Sequence, residues 1–105
     1  MAYKDFLFLD ERNTSEYSNV LVNIDGSVLV LEVNGTSVNI QVEGKIDNKE
    51  ENWTILGGIK QGSLTKTSTI TSSGQYMIVC LGSQKIRIKD NSATKGEVKV
   101  FGGTI

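Results

Sequence analysis

Few residues in this chain are equipped to do chemistry. Cys80 is the only cysteine and there is no histidine. Without imidazole there is no Ser-His-Asp or Cys-His pair and no imidazole metal ligand. A cysteine nucleophile needs an exposed, electropositive setting. Cys80 instead stands between Val79 and Leu81 in the apolar run of residues 76–81, which predicts a buried, inert thiol with no internal disulfide partner. Asp47, Glu50 and Glu51 crowd one polar stretch. A calcium loop needs oxygen ligands at regular short steps and a glycine to force the bend, whereas residues 47–52 contain Lys49 and no glycine. They predict a solvated loop. Gly57-Gly58 follows a strand-like run but precedes no helix, so it is no phosphate loop. The residues predict no catalytic set, no metal site and no cofactor.

Trp53 and Tyr76 offer a different chemistry, because aromatic faces stack on sugar rings. They are the contact pair if the chain binds carbohydrate. Their positions favour packing instead. Trp53 opens a strand just after a loop and predicts a core plug, while Tyr76 predicts a ring packed inside with its hydroxyl led to the rim.

The elements that must position these residues read as strands. Glycine occurs 11 times and proline never, and the glycines punctuate short runs rich in Val, Ile and Thr. No window of helical length keeps an i, i+3, i+4, i+7 apolar spacing. Residues 74–89 read as the central hairpin. Residues 76–81 are continuously apolar and need cover on both faces, while Ile86 and Ile88 alternate with Lys85, Arg87 and Lys89. Leu29, Leu31 and Val33 form the inner face of an earlier strand. Asn34-Gly35 predicts a type I′ turn, where both central residues need positive φ. Val38, Ile40, Val42 and Ile46 share one face, and Gly44 marks a candidate bulge. Phe6, Leu7, Phe8 and Leu9 are either a first strand or an arm that packs elsewhere.

Seven to eight short strands with an apolar face each must bury that face against another sheet. The expectation is one all-β domain over residues 1–105, a two-sheet antiparallel β-sandwich of jelly-roll or Ig-like type, with residues 1–16 a possible N-terminal arm. An open barrel is the fallback.

Composition sets the outer limits. The net charge of −1 leaves no footprint for nucleic acid or an anionic membrane. The charge is nonetheless uneven. Residues 1–43 carry two basic and seven acidic residues, a net −5, and residues 84–105 carry five basic and two acidic, a net +3. Either these faces meet within one sheet, or they pair between copies of the protein in a homo-oligomer. No apolar run reaches the ~20 residues of a membrane span, and the first residues lack the order of a signal peptide. Synthesis in a cytoplasm is expected.

From Val38 onward the order of motifs is distinctive. Val42-Glu43-Gly44-Lys45-Ile46-Asp47 ends an alternating strand, and Asn52-Trp53 and a Thr/Ser-rich strand follow. Then come Gly74-Gln75-Tyr76-Met77-Ile78-Val79, Gly82, Ile86-Arg87-Ile88 and Gly96-Glu97-Val98-Lys99-Val100. This resembles small β-sandwich modules of tailed-bacteriophage virion proteins, where "EGSxDGxxW", "GxYxVxVxG" and "hRhxV…GxVxV" recur, h being apolar. The likeness covers about 65 of the 105 residues. It implies a non-enzymatic virion structural protein, a capsid decoration protein or head fibre or a piece of tail or baseplate, most directly a decoration protein that binds the major capsid protein. Residues 1–20 lie outside the likeness, and Phe6, Leu7, Phe8 and Leu9 are the candidate attachment arm on their own apolar character. A carbohydrate-binding or receptor-adhesion module of a tail or baseplate, using Trp53 and Tyr76, is the alternative.

Overall fold

The computed structural model describes residues 5–9, 16–22, 28–45, 53–80, 83, 85–94 and 96–104. Ten strands run through them: β1 (Asp5–Leu9), β2 (Leu21–Val22), β3 (Val28–Asn34), β4 (Ile40–Lys45), β5 (Thr54–Leu56), β6 (Gly58–Lys60), β7 (Lys66–Thr67), β8 (Gly74–Val79), β9 (Lys85–Asp90) and β10 (Lys99–Thr104). The larger sheet has the order β1-β10-β3-β8-β6-β7 and the smaller one β2-β9-β4-β5. Every pairing is antiparallel. Eight strands are three residues or longer, in keeping with the seven to eight expected. The two-residue β2 and β7 are short edge strands, one on each sheet.

The core lies between the sheets. Leu29, Leu31, Val33, Tyr76, Ile78 and Cys80 come from the larger sheet and its flank, and meet Ile40, Val42, Leu56, Ile86 and Ile88 of the smaller. Alternation supplies this layer, since strand side chains point to opposite faces in turn. β9 shows it best: Ile86, Ile88 and Asp90 are buried while Lys85, Arg87 and Lys89 are half-buried on the other side.

Three local expectations are corrected. Residues 74–89 are not a hairpin: β8 pairs with β3 and β6 in the larger sheet, β9 with β4 and β2 in the smaller. The chain crosses between sheets there, so the buried Tyr76 and Ile78 of one strand and Ile86 and Ile88 of the other look inward from opposite sheets. Asn34-Gly35 likewise makes no type I′ turn. β3 already has β10 on one edge and β8 on the other, so β4 has no edge to join and lies in the other sheet. Gly35 is held instead by Ser73, whose Oγ accepts from the Gly35 N–H at 3.1 Å and donates to its carbonyl at 2.9 Å. Gly44 marks no bulge, because β4 keeps one register with both neighbours. A Cβ there would meet Ser83 Oγ and stand 2.7 Å from Leu56 Cδ1, so the glycine is a packing requirement.

A bulge does occur, between Tyr17 and Leu21. Tyr17 lies opposite Lys89 and Leu21 opposite Ile86, so residues 17–21 take one more step than their partner strand. Ser18 manages the disruption. Its N–H donates to the Ile88 carbonyl at 2.9 Å, and its Oγ accepts the Ile88 N–H at 2.8 Å. A side chain thus stands in for a missing backbone acceptor.

Candidate interaction surfaces

The residues singled out by sequence fall in three separate places. Phe6, Leu7, Phe8 and Leu9 belong to β1, so the stretch is a strand at the edge of the larger sheet. Leu9 is 1% exposed, opposite Val100, and is a core residue. It cannot serve as a contact for a partner. Trp53 is not the expected core plug. Counting back from the buried Leu56, Trp53 and Ile55 take the parity that faces away from the core. Tyr76 packs its ring between the sheets, and its hydroxyl donates to the Ser72 carbonyl at 2.8 Å. Trp53 and Tyr76 lie on different sheets, and the fold does not bring them together. The stretch of residues 47–52, with Asp47, Glu50 and Glu51, lies outside the described residues.

The outer face of the smaller sheet holds an arrangement that spacing alone did not disclose. The Arg87 guanidinium stacks on Tyr17, 3.9 Å from the ring centroid, and on Trp53 at 4.1 Å. Its Nε donates to Glu43 Oε1 at 2.8 Å across the β4–β9 ladder. Lys45 brings its ammonium to 5.5 Å from the Trp53 centroid. The acidic first part of the chain and its basic last part therefore do meet within one sheet at Glu43 and Arg87. The signal was available in parity: Glu43 and Arg87 are both off-core residues of adjacent strands.

The outer face of the larger sheet is apolar in the middle. Met77 stands between Val30 and Ile59 in the cross-strand register, with Val28 opposite Val79 one step along. Met77 is 42% exposed and Phe101 50%, while Val30, Ile59 and Val79 are half-buried. A groove of about 310 Å³ runs over Val30, Ile59 and Met77 towards the turn at Gln61 and Gly62. The uncovered second face expected of residues 76–81 is this surface.

A third feature sits where β6 and β7 form one end of the larger sheet. Lys60, Thr65, Thr67, Thr71, Ser72 and Tyr76 line a cleft of about 170 Å³. Lys60 Nζ donates to Ser72 Oγ at 3.0 Å, and Ser72 Oγ lies 3.0 Å from the Tyr76 hydroxyl. One wall is pinned to the smaller sheet by Ile70, which exchanges both backbone hydrogen bonds with Ile40.

Cys80 is buried, and burial pushes its thiol above the ordinary value against a smaller lowering by a backbone hydrogen bond from Leu29. It is packing. Among the described residues no three His, Cys, Asp or Glu side chains group as metal ligands. No helix is long and apolar enough to cross a membrane among them.

The fold and its faces define a two-sheet antiparallel β-sandwich with one polar-aromatic and one apolar outer face. Comparison with solved structures places it beside two prophage proteins. The SPBc2 prophage-derived protein YomS superposes with a TM-score of 0.69 at 18% identity, over 97% of this chain and 94% of that one. The PBSX exported protein XepA superposes with a TM-score of 0.68 at 19% identity, over 93% of this chain but 37% of its own length. This chain therefore corresponds to about a third of XepA. No family model matches the sequence. No curated protein sequence matches it either.

Proposed function

We propose that this chain is a non-enzymatic structural module of a tailed-phage particle, and that it acts as a capsid decoration protein seated on the major capsid protein of the shell. The observation that carries the reading is the fold shared with the prophage protein YomS over nearly the whole of both chains. The motif order from Val38 onward supports the same source. The apolar outer face around Met77 is the surface proposed to meet the shell, because an exposed Met77 flanked by the half-buried Val30 and Ile59 leaves apolar surface in water unless a partner covers it. On this reading the protein is made in the host cytoplasm and ends in the virion, with no nucleic-acid or membrane partner.

The test is co-sedimentation with empty shells assembled from the major capsid protein of the same genome. Wild-type protein is expected to pellet with the shells. Met77→Asp is expected to remain folded and stay in the supernatant. A wild-type chain that never pellets, and is missing from purified particles by mass spectrometry, overturns the decoration role. Deleting residues 1–16 is not a useful variant, because it removes β1 from the sheet.

A further inference from the structure

The cleft at the β6–β7 end has a chemistry unlike the rest of the surface. Residues 63–73 contain eight Ser or Thr in eleven positions, and no Asp or Glu occurs between Trp53 and Lys89. Among the described residues, the lining of the cleft is accordingly hydroxyls around one ammonium, with no carboxylate. The hydrogen bonds give it a defined polarity. The Tyr76 proton goes to the Ser72 carbonyl, so Ser72 Oγ donates to Tyr76 and accepts from Lys60. An ammonium has three donors, and one of those on Lys60 goes to Ser72. Among the described residues, the hydroxyls of Thr65 and Thr71 have no hydrogen-bond partner and are able to turn towards a ligand.

The lysine is built into this position. Gly74 has φ +149°, and a Cβ there would stand 2.7 Å from Lys60 Cε. The glycine leaves the lysine stem room to lie across β8 and reach Ser72. The opposite wall is fixed by the Ile40–Ile70 backbone pair, and Gln41 Nε2 donates to Thr69 Oγ1 at 3.2 Å.

We propose that this cleft binds an oxyanion carried on a small polyol, a phosphate ester of the glycerol-phosphate kind. A cation among rotatable hydroxyls with no competing carboxylate favours negative charge over a neutral sugar. Size limits the rest of the ligand. At about 30 Å³ per water molecule the cleft holds the equivalent of about six waters, enough for a phosphate and a short polyol. The cleft borders the Met77 groove and shares Lys60, Ser63 and Tyr76 with it, but its threonines and Ser72 lie outside that groove, so binding here is tested without the shell.

The experiment is a titration of the ¹⁵N-labelled full chain, followed by amide shifts, with glycerol 3-phosphate, inorganic phosphate and glycerol. Saturable shifts confined to residues 58–76 are expected, strongest with glycerol 3-phosphate, weaker with phosphate and absent with glycerol. Lys60→Gln should weaken binding about tenfold, and Thr71→Val severalfold, with the spectrum outside the cleft unchanged. Vesicles containing phosphatidylglycerol separate the sources: co-flotation lost in Lys60→Gln assigns a lipid-borne group, and its absence with glycerol 3-phosphate still bound assigns a soluble one. Glycerol binding as well as glycerol 3-phosphate, or shifts spread over all lysines and unaltered by Lys60→Gln, would overturn the proposal.

Discussion

Replacing Arg87 with methionine removes the centre of the Tyr17–Arg87–Trp53 stack while leaving a side chain of similar length. The Arg87 and Glu43 side chains are 21% and 14% exposed, so their 2.8 Å ion pair is screened less than a surface one. Exposed pairs are worth about 0.2–1 kcal/mol, and a figure of about 1 suits this one. Each cation–π contact is worth about 0.5–1 kcal/mol when exposed and about 2 when desolvated. Two half-buried contacts at 3.9 and 4.1 Å add about 2 kcal/mol, for an expected loss of about 3 kcal/mol in all. Urea unfolding reads this directly. With a slope of about 1.5 kcal/mol per molar, the midpoint falls by about 2 M with the slope unchanged. Arg87→Lys keeps the charge but not the planar fork, so it should lose about half as much. A double-mutant cycle with Trp53→Leu should give a coupling of about 1 kcal/mol. Trp53 is the only tryptophan, so its emission should shift in both Arg87 variants. Arg87→Lys behaving as wild type, together with additive single mutants, would refute the stacking argument.

Three further outcomes are expected. Ser18→Ala strips the buried Ile88 N–H of its acceptor and should cost about 1–3 kcal/mol in urea unfolding. Ser18→Thr should cost far less. Gly102→Ala puts a Cβ against the Val30 carbonyl and 2.8 Å from Leu31 Cα, both backbone. It should destabilise by at least ~2 kcal/mol, with lost amide protection along β3 and β10. Cys80 should resist alkylation in the native protein and react at once in denaturant. Its raised pKa also fixes a pH dependence. Well below about pH 8.5 the thiol is protonated in both states. Above that the unfolded chain releases the proton first, so stability falls as pH rises towards the folded value. The fall between about pH 8 and pH 10 should be smaller in Cys80→Ala.

The inward faces were readable from the sequence because alternation is local. Leu29, Leu31 and Val33, or Ile86 and Ile88, declare their shared side within a single strand, and all five are buried. Pairing partners were not readable. Asn34-Gly35 has the chemistry of a hairpin turn, but which strand comes to lie beside β3 is decided by β10, more than sixty residues later. The same limit explains Trp53. Its parity was visible from Leu56, but the Arg87 that claims its ring sits on β9, brought alongside by the β4 ladder. The hydroxyl cleft was half visible. The Ser/Thr-rich run is plain in the sequence, while the lysine that gives it a charge reaches it only because Gly74 clears the way.

The place of β10 has a consequence for how the molecule comes into being. It lies between β1 and β3, so a strand made after the other nine is the one that joins β1 to the middle of the larger sheet. Until residues near 104 are free, β3 keeps an open edge and β1 has no sheet to join. Synthesis at about 5–20 residues per second leaves the nascent chain in that state for seconds. Completion is therefore a late event that closes two gaps at once. A stalled chain ending before Lys99 should bind chaperones and be cut readily by protease, whereas a few more residues clear of the exit tunnel should convert it to a resistant form.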